Sequence, residues 1–255
     1  MATITGACAV LSDVHIRTPK ELIYTAMETY PFIRWSAPHI TALALTVIIA
    51  ALLLWLGCRL RERGRHILCK VLGAAVLFQL VSEFVWRAFA DDYGPWQNNL
   101  PLHFCSFMSV FAFIALWWRV RWTCALVYFG VLAGSIQGLI TPAMANGYPS
   151  LAFFVFFAAH SLLLVVALAI PVLLGWRARG WDDLRTLLIM DAYILLIHPI
   201  NLYLHTNYGY TMGPPIPGTL LDYLGPAPWY YLWAQLPVLA VLRLLMIPVH
   251  ESNSD

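Results

Sequence analysis

The chain has 255 residues, 61% hydrophobic and 11% charged, with a mean hydropathy of +0.72 and a formal net charge of +2. Soluble domains carry about 25% charged residues, so the composition excludes a soluble enzyme, and the small, dispersed positive charge gives no basis for nucleic-acid binding. The length suits one membrane domain without a sizeable soluble one, and the five cysteines (Cys8, Cys58, Cys69, Cys105, Cys124) form no CxxC pair, no disulfide framework and no metal-ligand spacing.

The first residues lack a basic start and run into Asp13, His15 and Arg17, so no cleavable signal is expected. Thr18-Pro19-Lys20-Glu21 has capping-box form with proline at the first helical position. Leu22, Ile23, Ala26, Met27 and Tyr30 follow on one face, predicting a short interfacial helix within an N-terminal external segment, residues 1–37. Seven apolar runs come next, each near the ~20 residues a bilayer core requires. They predict spans over 38–58, 66–90, 100–118, 122–141, 151–174, 186–204 and 229–249, an all-α polytopic bundle over 38–249 with a short cytoplasmic tail at 250–255.

The turns after spans one, three and five hold arginines (Arg59, Arg61, Arg63 and Arg65 in the first), whereas those after spans two, four and six hold no Lys or Arg. The positive-inside rule therefore puts the N-terminus outside and the C-terminus in the cytoplasm. Gly130, Gly134 and Gly138 recur at every fourth position of span four, the small-xxx-small pattern of close helix packing. The connection 207–228, stiffened by Pro214, Pro215 and Pro217, predicts a lid over the outer mouth, with Thr219-Leu220-Leu221-Asp222 starting a short helix. Asn207, Tyr208, Asp222 and Trp229 are its candidate substrate-facing residues.

Ionisable groups inside a membrane span are expensive and point to function. Taking ~1.5 Å per residue, Cys105 lies roughly 8 Å inside the outer end of span three, Glu83 about 10 Å inside span two, and Gln137 about 6 Å inside span four. His198 lies about 9 Å inside span six and His160 about 14 Å inside span five. Five helices thus place polar groups in the outer half, predicting one polar chamber that opens outward. Asp191, His198, Asn201 and His205 share a side of span six, and Gln79, Glu83, Trp86 and Arg87 a side of span two, where Glu83 can pair with Arg87. Asn98 or Asn99 is expected to cap span three with Pro101 in its first turn, which sets Cys105 one turn beyond the strongest part of the helix dipole. A thiolate is a good nucleophile when an imidazole activates it. His103, two residues from Cys105, faces elsewhere, so His160 is the candidate base.

The strings Leu100-Pro101-Leu102-His103-Phe104-Cys105-Ser106, Asn207-Tyr208-Gly209-Tyr210 and Leu224-Gly225-Pro226-Ala227-Pro228-Trp229-Tyr230, with the lone His160 of span five, resemble the YwaF-like family. This bacterial integral membrane family is related to eukaryotic transmembrane protein 164. The resemblance covers roughly residues 82–232. It implies a cysteine-dependent acyltransferase acting on membrane phospholipid and lysophospholipid, without a cofactor, in a multi-pass protein of the bacterial plasma membrane. It further implies Cys105 as acyl acceptor, His160 as base and His103 in a supporting role. Glu83, Arg87, Gln137, His198 and Asn201 are the remaining supporting candidates. Two other readings stay open. One is a metal-dependent lipid hydrolase drawing ligands from His103, His160, His198, His205, Asp191 and Glu83. The other is a carrier or receptor without catalysis.

Overall fold

A computed structural model of the protein describes residues 30–89, 95–215 and 220–250. The interfacial helix expected after Thr18 lies outside the described residues, as does Cys8. Seven of the described segments are long and apolar enough to cross a membrane. They are α1 (Ala37–Arg59), α2 (Glu62–Phe89), α3 (Phe104–Trp118), α4 (Arg121–Ile140), α5 (Leu151–Leu173), α6 (Asp182–Leu204) and α7 (Tyr230–Met246). A 3-10 turn at Trp96–Asn99 precedes α3, and another at Ile247–Val249 extends the last span. The described residues hold isolated bridges but no strand.

Two boundaries depart from the sequence reading. α3 starts at Phe104 rather than at Leu100, and Asn98 and Asn99 belong to the preceding 3-10 turn instead of capping it. Pro101 has no amide and biases its predecessor away from helix; Leu100 is extended (φ −68°, ψ 145°), and the chain turns helical only after His103. α6 starts a turn early, at Asp182, because Asp182 and Asp183 complement the positive end of the helix dipole there. The short helix expected from Thr219 is a 3-10 turn at Leu220–Tyr223.

α4 and α5 form the centre of the bundle: 61% and 50% of their apolar windows are buried, against 17–28% for the other five spans. α5 packs on α1, α2, α3 and α4, while α4 packs on α3 and α6 and meets α7 through a π-helical segment, Val131–Ser135. The glycine row makes this approach possible. A Cβ at Gly130 would stand 2.7 Å from Met108 Sδ, and one at Gly134 2.7 Å from Phe104 Cε1. Both contacts are far inside normal separation, so α3 sits in a groove that only these glycines leave open.

The two ends of the bundle are closed differently. At the arginine-rich end, Arg121 donates to Asp182 at 2.9 Å and Arg243 pairs with Asp183 at 2.6 Å, both carboxylates being buried. The Ala178 amide donates to the Val249 carbonyl (2.7 Å). Neither carboxylate was singled out from the sequence. At the opposite end His39 is fully buried; its Nδ1 accepts the Trp35 amide at 3.0 Å, so Nε2 carries the proton donated to the Leu139 carbonyl at 2.9 Å.

Replacing Gly134 by valine should force α3 off α4 and lower the Tm of the detergent-solubilised protein, in line with the about 1–3 kcal/mol typical of overpacking. Gly180→Ala, with nothing within 4 Å of the new Cβ, should leave Tm unchanged. Equal Tm values for the two variants would contradict the glycine groove.

Candidate active site

The extended stretch from Leu100 to His103 lacks the hydrogen bonds a helix would give it, and at the edge of a bilayer those groups need partners. Two tyrosines supply them. The Leu100 amide donates to the Tyr208 hydroxyl at 2.9 Å, and that hydroxyl donates to the Gln97 carbonyl. Tyr193, from α6, donates to the Leu102 carbonyl at 2.8 Å. Tyr208 is seated in turn by Asn201, whose amide nitrogen donates to the Tyr208 carbonyl (2.7 Å) and the Thr211 hydroxyl (2.8 Å). The Asn201 Oδ1 accepts the Tyr208 amide and the Thr206 hydroxyl, each at 2.8 Å. Buried and hydrogen-bonded on both sides, Asn201 is a scaffold residue. From α7, Tyr230 and Tyr231 donate to the carbonyls of Tyr210 and Gly209.

This tethering decides where Cys105 sits. His103 is the residue before α3, so Cys105 is the second residue of the helix, within the strongest part of its dipole and not one turn beyond it. The Cys105 carbonyl accepts the Ser109 hydroxyl at 3.0 Å, and the side chain packs against the buried core of the bundle. Cys105 is a free, half-buried thiol. The other described cysteines, Cys58, Cys69 and Cys124, sit near the arginine-rich ends of α1, α2 and α4.

His160 projects from α5 toward the same end of the bundle. Its Nδ1 lies 2.9 Å from the Phe156 carbonyl, which can only accept, so Nδ1 carries the proton and Nε2 is the free acceptor. The ring stacks on Phe156 (4.2 Å between centroids, 25°) and rests against Gly138, where a Cβ would stand 2.5 Å from Nε2. The third glycine of the row thus makes room for the imidazole. Among the described residues no hydrogen bond joins Cys105 to His160. Glu83 is an electrostatic neighbour of both. It accepts from Gln79 (2.8 Å) and Arg87 (2.5 Å), the i,i+4 pairing expected from the sequence. Arg87 lies within electrostatic reach of Cys105, His103 and Tyr208.

Beside the N-terminus of α3 is a cavity of about 300 Å³. Asn98 and His103 line it from one side, Ala143 from a second connection, and Thr206, Asn207, Tyr208 and Tyr210 from a third. Asn207 closes its own loop, with Nδ2 donating to the Gly213 carbonyl and Oδ1 accepting the Met212 amide, both at 2.9 Å. Burial pushes the Tyr210 phenol up to about 12, with Cys105 a smaller contributor, so it remains a neutral donor at neutral pH.

Several predicted members stand apart from this cluster. Gln137 is exposed on the surface of α4, and His205, Asp222 and Trp229 are exposed as well. Asp191 accepts from Gln235 of α7 at 2.9 Å. His198 is half-buried, its Nδ1 without a hydrogen-bond partner. The inward row of α6 is instead Tyr193, Ile197 and Asn201, an i,i+4,i+8 series whose tyrosine the sequence reading missed. No three His, Cys, Asp or Glu side chains come together to hold a metal ion among the described residues.

Residues 34–246 match the TMEM164 family. No curated protein and no solved structure matches the chain.

Asn201→Ala should release Tyr208 and with it the Leu100–His103 stretch. Hydrogen exchange at the Leu100 amide should quicken by at least about tenfold, matching the loss of one buried hydrogen bond, and Cys105 should be alkylated faster by a maleimide. Unchanged exchange would detach Asn201 from the site.

Proposed function

This chain belongs to the TMEM164 family, and we propose that it is a membrane-embedded phospholipid acyltransferase with Cys105 as nucleophile and His160 as base. The observation that carries the reading is the place of Cys105, in the first turn of α3 and two residues from His103, which lines a polar cavity. A helix N-terminus stabilises a thiolate more than a thiol.

Transfer runs in two balanced halves. His160 Nε2 takes the Cys105 proton, and the sulfur attacks the ester carbonyl of a phospholipid. The carbon–oxygen bond to the glycerol breaks, the imidazolium protonates the departing lysolipid oxygen, and the acyl group stays on Cys105 as a thioester. A lysophospholipid hydroxyl then gives its proton to Nε2 and attacks the thioester, and the thiolate leaves and is reprotonated. Nδ1–H, held by the Phe156 carbonyl, keeps the imidazole in the tautomer whose Nε2 is basic. Glu83, paired with Arg87, favours the imidazolium as it forms. The arginine bias of the connections supports an outer-face position for this site.

Cys105→Ala and Cys105→Ser should abolish acyl exchange between labelled phospholipid and lysophospholipid in proteoliposomes at unchanged Tm. Incubating the parent with acyl donor alone should load a hydroxylamine-labile acyl group on Cys105, read by mass spectrometry. Full transfer in the alanine variant would end the proposal. Gly138→Ala, which crowds Nε2, should cost about 100-fold in rate, as misplacement of a reacting group by about 1 Å does, while the thiol stays reactive to small alkylating agents.

A further inference from the structure

The cavity beside α3 has a lining divided in an informative way. Thr206, Asn207 and Tyr208 spend their side-chain groups on protein partners. The Asn98 amide, the His103 imidazole and the Tyr210 hydroxyl have no hydrogen-bond partner among the described residues, although all three line the same space. His103 is held there by ring contacts alone, edge-on to Tyr208 (4.9 Å) and tilted against Tyr210 (5.8 Å). We propose that the cavity binds the phosphodiester of a glycerophospholipid headgroup, with Asn98, His103 and Tyr210 as its hydrogen-bond donors.

Size, charge and position agree. About 300 Å³ is at the low end for ligand pockets, enough for a headgroup and too little for acyl chains. No carboxylate lines it, which disfavours an ammonium as the bound group. Three neutral donors with Arg87 in electrostatic reach of His103 suit a monoanion. A phosphate dianion would call for a cation in the lining itself. His103 is two residues from Cys105, and the ester carbonyls of a glycerophospholipid are a few bonds from its phosphate, so a headgroup held here leaves an ester within reach of the first turn of α3. The assignment rests on the acyl-transfer reading for its consequence, but it is tested by binding.

The test uses the full chain in a neutral detergent, with lysophosphatidylcholine, the monoacylglycerol of the same chain, and inorganic phosphate as probes. The parent should prefer the lysophospholipid by at least about tenfold, the value of one charge-assisted hydrogen bond. Asn98→Asp and Tyr210→Phe should each shrink that preference severalfold at unchanged Tm, and millimolar phosphate should not compete. Equal affinity for the two lipids, or a preference untouched in both variants, would overturn the site, and competition by phosphate would reassign it to the free ion. Preference without acyl exchange in the parent keeps the site and removes the acyltransferase reading; exchange without preference does the reverse.

Discussion

The structure around Cys105 depends on one constraint: a stretch of backbone that cannot be helical must still have its hydrogen bonds near the edge of a membrane. Pro101 creates the problem by removing an amide and pushing Leu100 into extended conformation. Tyr193 and Tyr208 resolve it by reaching in from α6 and the connection behind it. Because those phenols fix the carbonyl of Leu102 and the amide of Leu100, α3 can start nowhere but after His103. The loop that closes the cavity and the segment that carries the cysteine are therefore one mechanical unit, with Asn201 as its pivot.

The glycine row of α4 serves the same site from the other side. Gly130 and Gly134 admit Met108 and Phe104 of α3, and Gly138, one turn further, admits the ring of His160. A single helix face thus sets the positions of both the helix that holds the thiol and the imidazole. The small-xxx-small pattern is ordinarily a packing signal. On the proposed mechanism its last member bears on chemistry as well, since any side chain at Gly138 would occupy the space beside Nε2.

The seven spans were legible because apolar length is a strong signal in a membrane, and the Glu83–Arg87 pair was legible because i,i+4 neighbours are fixed by helix geometry alone. Depth along a span proved a poorer guide than face. Gln137 lies at the right level yet points outward, and of the predicted row on α6 Asp191 pairs with Gln235 of α7 and His205 is exposed, while Asn201 joins the buried row with Tyr193 that meets α3. Sequence spacing tells which residues share a face but not which face meets a neighbour; that is decided by packing across helices. The start of α3 was misjudged for a similar reason. Pro101 is equally compatible with a first helical turn and with the extended stretch before one, and only the distant Tyr193 and Tyr208 select the second.

The choice of a thiol fits the way charge is distributed in the bundle. Asp182 and Asp183 are matched by Arg121 and Arg243 at one end, and Glu83 is matched by Arg87 near the other. A standing carboxylate or ammonium nucleophile between them would carry the cost of an unmatched charge at depth in every resting molecule. On the proposed mechanism, a cysteine with a neutral imidazole as its base carries none until the proton moves. On that mechanism the charge pair would exist only during the reaction, with the sulfur in the first turn of α3 and Glu83 an electrostatic neighbour of the imidazole. On the proposed mechanism the start of the dipole at Phe104, set by a proline and two tyrosines, is what would let a nearly uncharged site do ionic chemistry.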